Sequence, residues 1–273
     1  MYRNLDEVEF VIFDTETTGL APESGDRIVE LAAVRVKGEE RLGVFQSLVD
    51  PKRPISEAAF QVNRISSEML SGAPSIETVM PKFLDFIKGA CICSYNAAFD
   101  LGFLNNELKL IGRELPPGTA VVDALKMAKR LLPSLERYAL WFVSESLGIK
   151  AKQEHRALSD VELTLGVFNR LKENLRAKEI FDFSNFLSLF SLPSGQLDGI
   201  NNQKISRIQE AIDLKVKLKI RYLAASSAQV SEREVLPKEI KQERGLVYLV
   251  GHCYLRNEER SFRIDGILSL ETL

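Results

Sequence analysis

Residues 10–13, Phe-Val-Ile-Phe, read as a strand drawn into a core, and that strand runs directly into Asp14 and Glu16. A strand sends residues i and i+2 to the same face, so both carboxylates point one way at the rim of an apolar interior. Left unpaired they would repel, and the fold has to bring them a partner.

The rest of residues 1 to about 172 alternates between strand-like and helix-like patterns, which predicts an α/β domain. Strands are expected over 10–14, 28–36, 44–49, 91–94 and 120–122, and helices over 77–88, 99–111, 124–132, 136–147 and 157–172. Pro193, Ser194, Gly195 and Gly199 then form a breaker-rich stretch, so 175–202 is expected to be a linker between a first domain (1–174) and a second (203–273). Two domains suit a chain of 273 residues that is 45% hydrophobic, enough to build two cores. Short alternating runs in the second part predict a small antiparallel β-barrel or sheet.

Two further acids lie on apolar faces. In NAAFDLGFLNNELKLI, Asp100 stands beside the stripe of Ala97, Leu101, Leu104 and Leu108; in HRALSDVELTLGVFNRL, Asp160 borders the stripe of Val161, Leu165 and Phe168. No matching set of basic residues shares those faces, so divalent cations are the economical partner. Oxygen ligands suit Mg²⁺ or Mn²⁺, and paired ions of that kind serve displacement at phosphorus. His155, just before the helix that carries Asp160, offers a proton acceptor near neutral pH. The chemistry so assembled is phosphodiester hydrolysis.

DTETTGL with RIVELAAV, then SYNAAFDLGFLNNE, then HRALSD resembles the DEDDh branch of the DnaQ-like 3′→5′ exonucleases. The resemblance implies a ribonuclease H-like fold, a mixed sheet flanked by helices, with two Mg²⁺ or Mn²⁺ ions per active site. It implies Asp14, Glu16, Asp100 and Asp160 as metal ligands and His155 as the catalytic base. It places Thr17 and Phe99 near the terminal nucleotide, and Asn63 at a substrate-side position where polymerase proofreading enzymes commonly have His. Single-stranded 3′ ends of DNA or RNA are the expected partners.

IRYLAASSAQVSEREVLP, GLVYLVGHCYL and RSFRIDGI resemble the WYL domain, a small Sm-like or SH3-like β-barrel. Arg233, Arg260 and Arg263 fit basic positions which that family is thought to use for nucleic acid or a nucleotide-like ligand, while Gly266 stands where an Arg is common. Charge is divided accordingly: residues 1–172 hold 21 Lys and Arg against 24 Asp and Glu, and residues 203–273 hold 13 against 10. The competing class is a regulatory protein that binds nucleic acid without cutting it; loss of a metal acid would favour it, and none is lost. With no membrane-spanning run, an N-terminus unlike a signal peptide and three cysteines (Cys91, Cys93, Cys253) expected as buried thiols, the chain reads as cytoplasmic.

Overall fold

The computed structural model describes residues 3–150 and 153–273. Its first sheet runs β3-β2-β1-β4-β5, built from β1 (Glu9–Thr17), β2 (Ile28–Lys37), β3 (Glu40–Leu48), β4 (Cys91–Ser94) and β5 (Val121–Asp123). β1 to β3 pair antiparallel, whereas β4 and β5 run parallel to β1, which gives the mixed sheet expected. Helices α1 (Glu57–Asn63), α2 (Ser67–Leu70), α3 (Ile76–Ile87), α4 (Ala97–Leu110), α5 (Ala124–Leu131), α6 (Leu140–Ser146) and α7 (Ala157–Ala177) complete this part. Among the described residues no helix is long and apolar enough to cross a membrane.

The alternation along β1 decides what each face of the sheet receives. Phe10 and Ile12 enter a core shared with Val161, Phe168 and Leu171 of α7, while Val11 and Phe13 enter a second core with Phe83 of α3 and Phe103 of α4. Continuing the same period past the apolar run, Asp14 and Glu16 emerge toward α7 and Thr15 emerges toward α4. The three cysteines are free and buried.

The stretch expected to be a linker is largely helical instead: α8 (Phe183–Phe190) and α9 (Gly195–Asp213) occupy most of it. Phe183, Phe186 and Phe190 sit three and four residues apart, a helical stripe, and Phe186, Leu187, Leu189 and Phe190 are buried in the core of α7. The breakers mark only the junction of two helices, where Ser194 caps α9 by accepting from Leu197 N at 3.3 Å.

Beyond α9, strands β6 (Leu218–Leu223), β7 (Val230–Glu243), β8 (Leu246–Cys253), β9 (Glu258–Arg263) and β10 (Ile267–Thr272) form an antiparallel sheet in the order β10-β6-β7-β8-β9. It wraps a small core of its own, with Ile208 and Ala211 of α9 against Ile220, Val235, Leu249 and Phe262. A 3₁₀ turn, Ile264–Gly266, joins the two outer strands.

The two sheets are packed together. Arg130 of α5, 7% exposed, donates to Leu223 O at 3.1 Å and lies 3.7 Å from Asp265. Asn185 donates to Leu268 O at 3.0 Å, and Leu223 and Leu268 themselves join the first core. Gly266 makes this approach possible: a Cβ there would lie 2.7 Å from Arg130 Nη2 and 2.8 Å from the Tyr222 ring. Gly266→Ala is therefore expected to cost about 1–3 kcal/mol of stability through overpacking, read by urea denaturation; an unchanged midpoint would show that the junction yields freely.

Candidate active site

Asp14 and Glu16 project from β1 toward the first turn of α7, and there they meet Asp160. One carboxylate oxygen from each of these three residues lies within 4.8 Å of the other two. Glu16 is 9% exposed and Asp160 is 4% exposed. Asp160 is held from the chain before α7, accepting from Gln153 Nε2 at 2.9 Å and from Glu154 N at 3.3 Å.

Asp100 arrives from the other side of the sheet. It sits in the first turn of α4 and is 3% exposed. One oxygen accepts from Thr15 N at 3.0 Å and Thr15 Oγ1 at 2.7 Å; the other accepts from Ser94 Oγ at 2.5 Å. The period of β1 explains the pairing, since Thr15 is the residue that faces α4. The four acids expected to converge are thus a close triad with Asp100 pinned beside it by three donors.

Burial raises all four, and the neighbouring acids add to it at Asp14 and Glu16. Burial, then Asp100 and Glu16, push Asp14 well above the usual carboxylate range. Burial, then Asp160 and Glu30, lift Glu16 to about 8. Burial lifts Asp100 to about 6 against its hydrogen bonds to Ser94 and Thr15, and burial also raises Asp160 against Gln153 and Glu154 N. Strong perturbation of several acids in one place is the mark of a working site.

A fifth acid, Glu30, lies opposite Glu16 in the β1–β2 ladder and is 1% exposed. Burial pushes its carboxyl up, but the fork of Arg156, at 2.9 Å on both oxygens, outweighs it with help from Gln46 and Ala157 N, so Glu30 stays ionised below the usual range. Arg156 is thereby held on Glu30, and among the described residues no Lys or Arg forms an ion pair with Asp14, Glu16 or Asp160. Glu30 is hard to single out by sequence because it interrupts the apolar run IVELAAV in the manner of any exposed strand residue.

These shifts fix a sign. A carboxyl raised in the folded state contributes stability that is present in full below its ordinary value and lost as pH rises through its folded value. In EDTA, stability from these groups is expected to fall from about pH 4 to about pH 8, the value for Glu16, by on the order of a few kcal/mol. Added Mg²⁺ should raise the melting temperature more at the alkaline end of that range than at the acid end, measured by calorimetry. A flat profile shared by wild type and Asp14→Ala would refute the mutual repulsion.

On the outer side of Glu16 a cleft of about 310 Å³ is lined by Thr15, Thr17, Leu20, Val62, Asn63 and Phe99. Leu20 is 82% exposed and Val62 is 51% exposed, an apolar rim beside acids that core packing does not account for. Phe99 packs on Phe103 with ring centroids 5.0 Å apart. Asn63 is buried, donating to Thr17 O at 3.2 Å and accepting from Ile65 N at 3.0 Å, so it braces the end of β1.

His155 is exposed, with φ of 53°, and lines a separate groove with Trp141 and Gln153, immediately before α7. The three arginines of the second sheet are not gathered. Arg233 bonds Ser231 Oγ at 3.0 Å in a groove with Lys219 and Tyr254, Arg260 is exposed and pairs with Glu258, and Arg263 turns to Asp265.

Comparison with known proteins agrees with this geometry. The exonuclease family model of the RNase T type matches residues 11–168, and the WYL domain model matches residues 203–272. The PolC-type DNA polymerase III of Caldanaerobacter subterraneus subsp. tengcongensis is 37% identical over 170 residues, 62% of this chain and 12% of that protein. A DNA polymerase III subunit epsilon-like protein of Rhodobacter capsulatus is 38% identical over 188 residues, 67% of this chain and 26% of its own length. The chain therefore spans a small part of these relatives. Among solved structures, Exonuclease X in complex with 5′ overhanging duplex DNA matches at a TM-score of 0.50 and 26% identity, covering 70% of this chain and 98% of that one. The nuclease domain of 3′hExo, a DEDDh family member bound to rAMP, matches in fold at 0.55 and 19% identity over 63% of this chain and 95% of its own. With its acids placed as described, the chain belongs to the RNase T-type exonuclease family and carries a WYL domain at its C-terminal end.

Proposed function

We propose that the chain is a metal-dependent 3′→5′ exonuclease, which hydrolyses the terminal phosphodiester of single-stranded DNA or RNA and releases nucleoside 5′-monophosphates. The observation that carries this reading is the triad of Asp14, Glu16 and Asp160 oxygens within 4.8 Å, with Asp100 alongside and, among the described residues, no Lys or Arg paired with them. An all-oxygen donor set suits Mg²⁺ or Mn²⁺. The four acids would hold two such ions, which supply Lewis-acid charge to the attacked phosphate and the departing 3′ oxygen.

The chain's own groups do the rest. His155 takes the proton of the attacking water as the water oxygen bonds to phosphorus, the P–O3′ bond breaks, and the departing 3′ oxygen takes a proton from solvent to become the 3′-hydroxyl of the shortened strand. Phe99, Leu20 and Val62 hold the terminal nucleoside, and Thr17 with Asn63 keeps the rim of that cleft in place. In the proposed division of labour residues 1–174 cut, while residues 203–273 bind nucleic acid or a nucleotide-like ligand. Arg233, in a groove with Lys219 and Tyr254, is the arginine of that part best placed for phosphate. Action in the cytoplasm fits three unpaired thiols.

The test is degradation of 5′-labelled DNA and RNA oligonucleotides, single- and double-stranded, with Mg²⁺, with Mn²⁺ and with EDTA. A ladder shortening from the 3′ end only with metal is the expected result. No cleavage of any substrate with either metal would overturn the reading.

A further inference from the structure

The chain has one tryptophan, Trp141, and the fold leaves it 46% exposed. It stands on α6 next to Leu140, with Val143 and Ser144 the other inward residues of that helix, so its indole is on the face that core packing does not use. A T-shaped contact with Phe142, centroids 5.5 Å apart, orients the ring. The indole lines a groove of about 670 Å³ that continues along Lys150 and Gln153 to His155. Gln153 is the residue whose amide holds Asp160.

Two recesses thus reach the site, one at Glu16 and one through Gln153 beside Asp160, and share no lining residue. One contains Glu16 and Phe99; the other contains His155 and ends at Trp141. A strand whose scissile phosphate rests on the acids has a nucleoside on each side of it. In the subsite proposed below, the terminal nucleoside occupies the Phe99 cleft and the next nucleotide on the 5′ side occupies the groove of Trp141.

We propose that Trp141 is the stacking platform for the base of the nucleotide 5′ to the scissile phosphate, a subsite that selects unpaired strands. An indole accepts the face of any base, so the subsite is tolerant of sequence. Lys150 offers one phosphate contact, and Glu145 across the groove opposes it, so stacking rather than charge leads recognition there. A base still paired and stacked in a duplex has no free face to present. The inference rests on the exonuclease reading and adds a determinant of substrate form to it.

Because Trp141 is the sole indole, tryptophan emission reports on the subsite directly. The full chain in EDTA is titrated with oligothymidylates of one, two, four and eight residues, with binding followed in parallel by anisotropy of end-labelled strands. Emission should change on binding of the dinucleotide and longer strands and not with the mononucleotide. With Mg²⁺, Trp141→Ala should raise KM for single strands about 5- to 150-fold with kcat nearly kept, and Trp141→Phe should retain most of the affinity. Saturable binding with unchanged emission, or an unchanged KM in Trp141→Ala, overturns the subsite and leaves the nuclease standing. Neither binding nor cleavage of any strand overturns both.

Discussion

Asp14→Ala, Glu16→Ala, Asp100→Ala and Asp160→Ala are each expected to give a folded protein whose hydrolysis falls by roughly 10³-fold or more, because each removes a donor from a set that works as a unit. The stability of the metal-free variants should separate them. Asp14 is pushed up by burial and by four neighbouring acids and, among the described residues, has no side-chain hydrogen bond to lose, so Asp14→Ala relieves repulsion and should raise the melting temperature in EDTA. Asp100 accepts from Thr15 twice and from Ser94 once, so Asp100→Ala leaves those donors unpaired and its relief is offset. Asp160→Ala similarly releases Gln153 and the chain before α7. Activity assays and differential scanning calorimetry in EDTA check both halves. Wild-type turnover from a folded Asp100→Ala protein would sink the two-metal assignment, and a uniform drop in melting temperature would sink the electrostatic account.

That contrast between Asp14 and Asp100 also marks how far the sequence reaches. The carboxylates on β1 are legible because a two-residue period carries them outward after Phe10 and Ile12, and Asp160 is legible because a helical stripe borders it. Which side of the sheet each helix covers is a property of the crossovers, so nothing local in NAAFDLGFLNNE says that Asp100 will meet Thr15 rather than join the triad directly. Backbone donors such as Glu154 N are silent in a sequence for the same reason. In residues 183–190 the phenylalanines at 183, 186 and 190 carry a helical period that the breakers at Pro193 and Gly195, just beyond it, do not interrupt. In the second sheet, residue type was legible and direction was not. Arg233, Arg260 and Arg263 are basic, but Ser231, Glu258 and Asp265, each two residues away along the chain, engage them first.

His155→Ala is expected to lower kcat by roughly 10²- to 10⁴-fold, the usual contribution of a positioned general base, while KM changes little. In the proposed mechanism the imidazole accepts the water proton and is no part of the triad's oxygen set, so the rise in melting temperature on adding Mg²⁺ should survive the substitution. Backbone geometry supplies a control. His155 holds a φ of 53°, a conformation that costs an alanine about 1–2 kcal/mol and costs glycine almost nothing. His155→Gly should therefore be the more stable of the two variants and equally slow, which separates the missing imidazole from a strained turn. Equal kcat in wild type and His155→Gly at neutral pH would mean that another group accepts the proton, and a glycine variant faster than the alanine one would mean that the turn, and not the ring, sets the rate.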